Sequence, residues 1–180
     1  MTSSRPRTLA AEIRDATGVN PSTCYQCGKC SAGCPMASES DLRPHQVMRR
    51  VMYGAREKAL QDESIWLCLT CETCSARCPN ACDPARVIDA VREISLQDGL
   101  AEMPRSIGAF HKAFLEQIKS NGRLHEMGLV VEYKLRTGDL MKDVTNAPGM
   151  FARGKLNLRA DRIDGVAEVK RIFERCGVTT

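Results

Sequence analysis

Cys24-Tyr25-Gln26-Cys27-Gly28-Lys29-Cys30-Ser31-Ala32-Gly33-Cys34-Pro35 and Cys68-Leu69-Thr70-Cys71-Glu72-Thr73-Cys74-Ser75-Ala76-Arg77-Cys78-Pro79 decide how this chain is read. Each stretch is C-x-x-C-x-x-C-x-x-x-C-P, the spacing that holds cubane [4Fe–4S] clusters. Three cysteines at two-residue intervals, on a loop wound around a cluster, bring three sulfurs to three corners of one cube. The fourth iron must be reached from elsewhere. The proline after the last cysteine restricts that residue's backbone and turns the chain away, so the fourth sulfur points to the other cluster. The expected ligation is therefore crossed. Cys24, Cys27, Cys30 and Cys78 hold one cluster, and Cys68, Cys71, Cys74 and Cys34 hold the other.

Other uses of cysteine fit less well. Disulfides need an oxidising compartment, yet the start, MTSSRPRTLAAEIRD, lacks the apolar core of a secretion signal and is charged almost at once. Structural zinc usually takes two C-x-x-C pairs and has no use for a third cysteine at the same interval or for the closing proline. A thioredoxin-like pair asks for a strand-rich βαβ context that is missing here. Ten cysteines without a signal read as a cytoplasmic protein kept reduced.

Composition narrows the classes further. The 180 residues are 43% hydrophobic, enough for an ordinary core, and no apolar stretch approaches the ~20 residues that cross a bilayer, so direct membrane insertion is not expected. The formal charge is +4 with thiols counted neutral. Each oxidised cluster with four thiolates carries roughly −2, so two bring the sum near zero. Arg43, Arg49, Arg50, Arg56 and Lys58 alternate with acids and apolar residues rather than forming a stripe among aromatics, which argues against nucleic acid as a partner.

Helical patterning runs along the chain. Thr8 caps a helix over Leu9–Thr17 that Gly18 stops. Gly28 and Gly33 permit the tight backbone of a cluster loop, and Tyr25 reads as a shield against water. Pro44 to about Gln61 reads as one helix whose face is Val47, Met48, Val51, Met52 and Ala55, with the methionines as core filling and His45 solvated or hydrogen-bonded. Trp66 reads as core packing, a shield for the neighbouring cluster, or a partner-facing patch. Asp83 and Pro84 open the next helix. Cys82 reads as a buried inert thiol, a substitute for Cys78, or a ligand elsewhere, and Cys176 as structural.

Pro44-x-x-Val47-x-x-x-Val51 repeats as Pro84-x-x-Val87-x-x-x-Val91, so each half is a cluster loop feeding a helix. The expected fold is all-α, a helical two-cluster module over 1–100 with a helical extension over 101–180 that covers the module and docks a partner. In the extension, Pro104–Asn121 is amphipathic through Ile107, Phe110, Phe114, Leu115 and Ile118. Weaker helical patterns cover Glu126–Thr137, Leu140–Val144 and Ala160–Cys176, and NAPGMFARGKLNLR reads as a loop exposing Met150 and Phe151.

The two runs at this separation, the helical surroundings, the small size, and a tail containing GMFARGKLNLR and VKRIFE resemble the C subunit of heterodisulfide reductase. Cys82 departs from that family, where an aliphatic residue is more usual. The resemblance implies an alpha-helical ferredoxin-type protein with two [4Fe–4S] clusters. Such a protein passes electrons between a flavin-bearing A subunit and a B subunit that works on disulfides or thiols, in methanogenic heterodisulfide reduction or in sulfur oxidation. The chain has no Cys-Cys-Gly element, no GxGxxG fingerprint and no nucleophile–base constellation, so no catalytic residue of its own is expected. Two alternatives stand beside this: the iron–sulfur subunit of another dehydrogenase, oxidising succinate, glycolate or glycerol phosphate, and a structural metal-binding adaptor.

Overall fold

The computed structural model describes residues 7–140 and 159–177, together with Gly149 and Arg153. It is all-α, and no strand occurs among the described residues. The chain divides into two compact units, Met1–Met103 and Pro104–Thr180.

In the first unit, α1 (Leu9–Thr17) is capped by the Thr8 hydroxyl, which accepts from the Ala11 N–H, and ends on Gly18 in the left-handed region. Its apolar residues Leu9 and Ile13 are fully buried. A short helix, α2 (Lys29–Ala32), lies inside the first cysteine run, and α5 (Thr73–Ala76) lies at the matching place in the second. Helices α3 (Pro44–Met52) and α6 (Pro84–Gln97) follow the two runs and pack on each other. The repeated valines Val47, Val51, Val87 and Val91 are all buried, each worth roughly 1.5–3 kcal/mol of apolar transfer.

The expected single helix from Pro44 to about Gln61 is instead two. Helix α3 stops at Met52 and α4 (Arg56–Leu60) starts afresh after a turn. Gly54, at φ 69°, makes the stop: its N–H donates to Val51 O and the Ala55 N–H donates to Arg50 O, a Schellman closure. The apolar spacing runs through this break because α4 also buries Ala59 and Leu60 in the same core. Arg56 ties α4 to its neighbours, donating to Glu12 on α1 and to Asp98 just past α6 at 2.5 and 2.7 Å. Being about one-third exposed, these pairs are worth about 1 kcal/mol at most.

In the second unit, α7 (Arg105–Asn121) packs against α8 (Glu126–Thr137) and α9 (Val166–Arg175). Helix α8 has the expected bounds, and α9 begins later than Ala160. The buried positions of α7 are Ala109, Ala113 and Asn121, while Phe110 and Leu115 of the expected apolar face are exposed. Small residues let the helices approach, so the large ones are displaced to the rim. Phe110 does pair edge-on with Tyr133 of α8, ring centroids 6.1 Å apart. Most of the segment expected as Leu140–Val144, and Met150 and Phe151 of the expected loop, lie outside the described residues.

Candidate metal centre

Both cysteine runs are shaped by the same local devices. Each is entered through a 3₁₀ turn, Pro21–Thr23 or Glu63–Leu67, whose leading side chain accepts from the backbone two residues on: Asn20 from Ser22, Asp62 from Ser64. In each run the residues immediately before and after the second cysteine take positive φ. These are Gln26 (60°) and Gly28 (76°) around Cys27, and Thr70 (52°) and Glu72 (59°) around Cys71. For the non-glycine residues this costs roughly 1–2 kcal/mol each, so packing imposes the winding. Equivalent residues then meet between the halves: α2 packs on α5, Cys30 and Cys74 share a buried cluster with Ala85, and Gly33 faces Arg77. A Cβ on Gly33 would lie 2.6 Å from the end of the Arg77 side chain, which would have to move aside.

The chain crosses after each Cys-Pro. The Leu42 N–H donates to the Ser64 hydroxyl at the entry to the second run, and the Asn80 side chain donates to Thr23 O at the entry to the first. One cavity is lined by Cys34 from the first run together with Cys68, Cys71 and Cys74 from the second. On the other side, burial first and then the nearby thiols of Cys27, Cys78, Cys82 and Cys24 push the Tyr25 hydroxyl pKa up. The environment of Cys30 includes Cys24.

The donor set suits iron–sulfur chemistry. Burial pushes up the thiols of Cys30, Cys68 and Cys74, the last to about 11, whereas the Thr73 hydroxyl and N–H hold Cys71 below the usual thiol range. A bound metal centre would keep all of them as thiolates. Four sulfurs around a single zinc stand only about 3.8 Å apart. Among the described residues no three His, Cys, Asp or Glu side chains are placed to hold one metal ion. The cavity bordered by Cys34, Cys68, Cys71 and Cys74 brings together the four thiols expected for one cubane.

Several neighbours have roles that spacing alone does not give. Cys82 is 1% exposed, with its Sγ 3.3 Å from Thr23 Oγ1, and its N–H donates to Cys78 Sγ at 3.3 Å. It stands two residues before Pro84, where Leu42 stands before Pro44, so it fills the place of a buried aliphatic residue. His45 is hydrogen-bonded, as one of its two sequence readings has it. Ser31 Oγ accepts from its N–H at 3.1 Å and lies 2.6 Å from Nδ1, to which the hydroxyl donates when the ring is neutral. Burial, with Arg43 and Arg49 nearby, lowers its pKa in that direction. Trp66 is buried, its indole N–H without a protein partner, and Arg92 lies over its ring at 5.9 Å. Tyr25, expected as a shield, is 60% exposed.

Arg92 was not singled out by motif spacing. It donates through Nε to Ile65 O and through Nη2 to Cys68 O, at 2.6 and 2.5 Å, and so clamps the entry of the second run. The signal was present in the repeat: the register that pairs Val51 with Val91 pairs Met52 with Arg92.

Comparison with known proteins matches the stretch that carries both runs. The family model of the 4Fe-4S dicluster domain matches residues 23–83, which span both runs. Over 93 residues the chain is 32% identical to the C subunit of ferredoxin:CoB-CoM heterodisulfide reductase of Methanosarcina acetivorans, covering 52% of this chain and 37% of that one. The iron-sulfur C subunit of CoB--CoM heterodisulfide reductase of Methanopyrus kandleri is 26% identical over 152 residues, 66% of this chain and 79% of the relative. The second of the iron-sulfur C subunits of Methanocaldococcus jannaschii is 32% identical over 105 residues, 58% and 56% of the two chains. This chain is similar to the C subunit of heterodisulfide reductase. The likeness goes with an iron–sulfur, electron-transferring role. The chain spans about half the length, or less, of the two relatives that it matches at 32% identity. Among the described residues no helix is long and apolar enough to cross a membrane.

Proposed function

We propose that the chain binds two [4Fe–4S] clusters in crossed fashion and relays electrons within a heterodisulfide reductase-like complex. Cys24, Cys27, Cys30 and Cys78 would hold one cluster, and Cys68, Cys71, Cys74 and Cys34 the other. The observation that carries this reading is the cavity in which Cys34 joins Cys68, Cys71 and Cys74. When bound, the two clusters supply one-electron carriers with potentials in the broad range of about −700 to +450 mV. The chain's own work is to grip them through thiolates, to exclude water with Ala85 and the buried halves of the cysteine loops, and to keep the two sites adjacent through the α2–α5 contact.

On this reading the partners are the other members of such a complex, a flavin-bearing A subunit and a thiol- or disulfide-active B subunit. The unit from Pro104 onward, with Phe110, Leu115, Val131 and Leu135 exposed, supports a docking role for the extension. Protein purified without oxygen together with its partners tests the proposal. The expected result is about eight irons per chain and a broad absorbance near 400 nm that dithionite bleaches, with A-type and B-type partners co-purifying. A colourless zinc protein, or co-purification with a succinate, glycolate or glycerol-phosphate dehydrogenase, overturns it.

A further inference from the structure

The two halves repeat in backbone but differ in charge at several matched positions, among them Gly28 and Glu72, Lys29 and Thr73, and Gly33 and Arg77, and one further difference, Met52 against Arg92, lies on the helix behind the first cysteine of each run. In the first half, Met52 at the end of α3 meets Gln26, whose side-chain amide donates to Cys24 Sγ at 3.4 Å and to Met52 Sδ at 3.8 Å. In the second, Arg92 on α6 takes Met52's place and Thr70 takes Gln26's, with Arg92 Nη1 3.4 Å from Thr70 Oγ1. The guanidinium also donates to the carbonyls of Ile65 and Cys68 and lies over Trp66. With Asp89 it is held by five groups, and its side chain is 18% exposed. One run thus has a fixed positive charge at its first cysteine, and the other has a neutral amide and a thioether.

We propose that Arg92 sets the order of the two clusters, placing the one drawn on Cys68 at the higher potential so that the first electron rests there. Adding an electron makes a cluster more negative, and a nearby fixed cation favours that state. A full charge acts over a longer range than the dipole of the Gln26 amide and is weakened less where water is excluded. Asp89 pairs with Arg92 at 3.2 Å and opposes it, but Asp89 is 44% exposed and is screened more. Electrons would then run from the Cys24-side cluster to the Cys68-side cluster. The inference rests on the two-cluster reading above.

The test is an anaerobic redox titration of the full chain, followed by electron paramagnetic resonance and accompanied by iron analysis. A Cys71→Ser sample identifies which signal belongs to the Cys68-side cluster. Arg92→Met, which installs the first half's residue, is expected to lower that cluster's potential alone and to shift the sharing of the first electron at least tenfold, about 59 mV for one electron. Arg92→Lys should keep the sharing within about threefold of the parent, and Met52→Arg should raise the other cluster instead. Unmoved potentials in Arg92→Met, equal shifts of both signals, or no response to Met52→Arg overturn the role of Arg92 when about eight irons are present. A parent protein with far fewer irons overturns the two-cluster reading itself. If Arg92→Met loses iron, Met52→Arg decides the matter alone.

Discussion

Cys82 and Cys78 lie four residues apart and their atoms touch, yet their environments set them different tasks. Cys82 is enclosed by Thr23, the Asn80 carbonyl and its own loop, and it occupies the position that Leu42 fills in the other half. Burial raises its pKa, as befits a neutral thiol that packs. Cys82→Ala is therefore expected to keep the full iron content and to cost about 1 kcal/mol for the vacated space, measured by iron analysis beside thermal unfolding. Cys78→Ser should lose about half the iron. If Cys82→Ala instead loses iron as Cys78→Ser does, Cys82 is a ligand. On the proposed ligation its backbone N–H to Cys78 Sγ would also be a tuning contact, since N–H donors to ligand sulfurs favour the reduced state of a cluster.

Among the elements, α6 joins the metal centre most directly to the core. Its cap, Asp83, takes a left-handed backbone and accepts from the Arg86 N–H and the Ser75 hydroxyl, and Ser75 follows Cys74. Asp83→Ala removes the cap and leaves a side chain poorly suited to that backbone. The expected loss is about 1–2 kcal/mol, seen as a lower midpoint of thermal unfolding, with Asp83→Asn recovering most of it. Much of this element was legible in the sequence, because a cap, a proline at the first position and a repeated valine spacing act within a few residues. The same holds for α1, with Thr8 and Gly18 at its ends. Where reading failed, a tertiary term had decided the outcome. Met52 and Ala55 continue the apolar spacing across Gly54, so the break before α4 was hidden by a core that α3 and α4 share. Phe110 and Leu115 mark an apolar face on α7, but spacing does not say that Ala109 and Ala113 are the residues covered. Arg92 looks like any helix-surface cation until its matched partner, Met52, is set beside it.

At the scale of the molecule, the first unit is a duplicated loop-and-helix whose halves exchange their ends. Ser64 and Thr23 receive the crossing segments, Cys30 meets Cys74, and Cys34 sits with the opposite run. On the proposed ligation, crossed ligands would tie both halves together, and binding of the clusters would be coupled to the folding of the unit. The account's most direct test is to make Cys34→Ser, Cys71→Ser and Cys78→Ser, load each without oxygen, and compare their paramagnetic resonance spectra after reduction. The prediction is that Cys34→Ser and Cys71→Ser disturb the same signal, whereas Cys78→Ser disturbs the other. If Cys34→Ser and Cys78→Ser each disturb the signal belonging to their own run, the crossed arrangement is wrong.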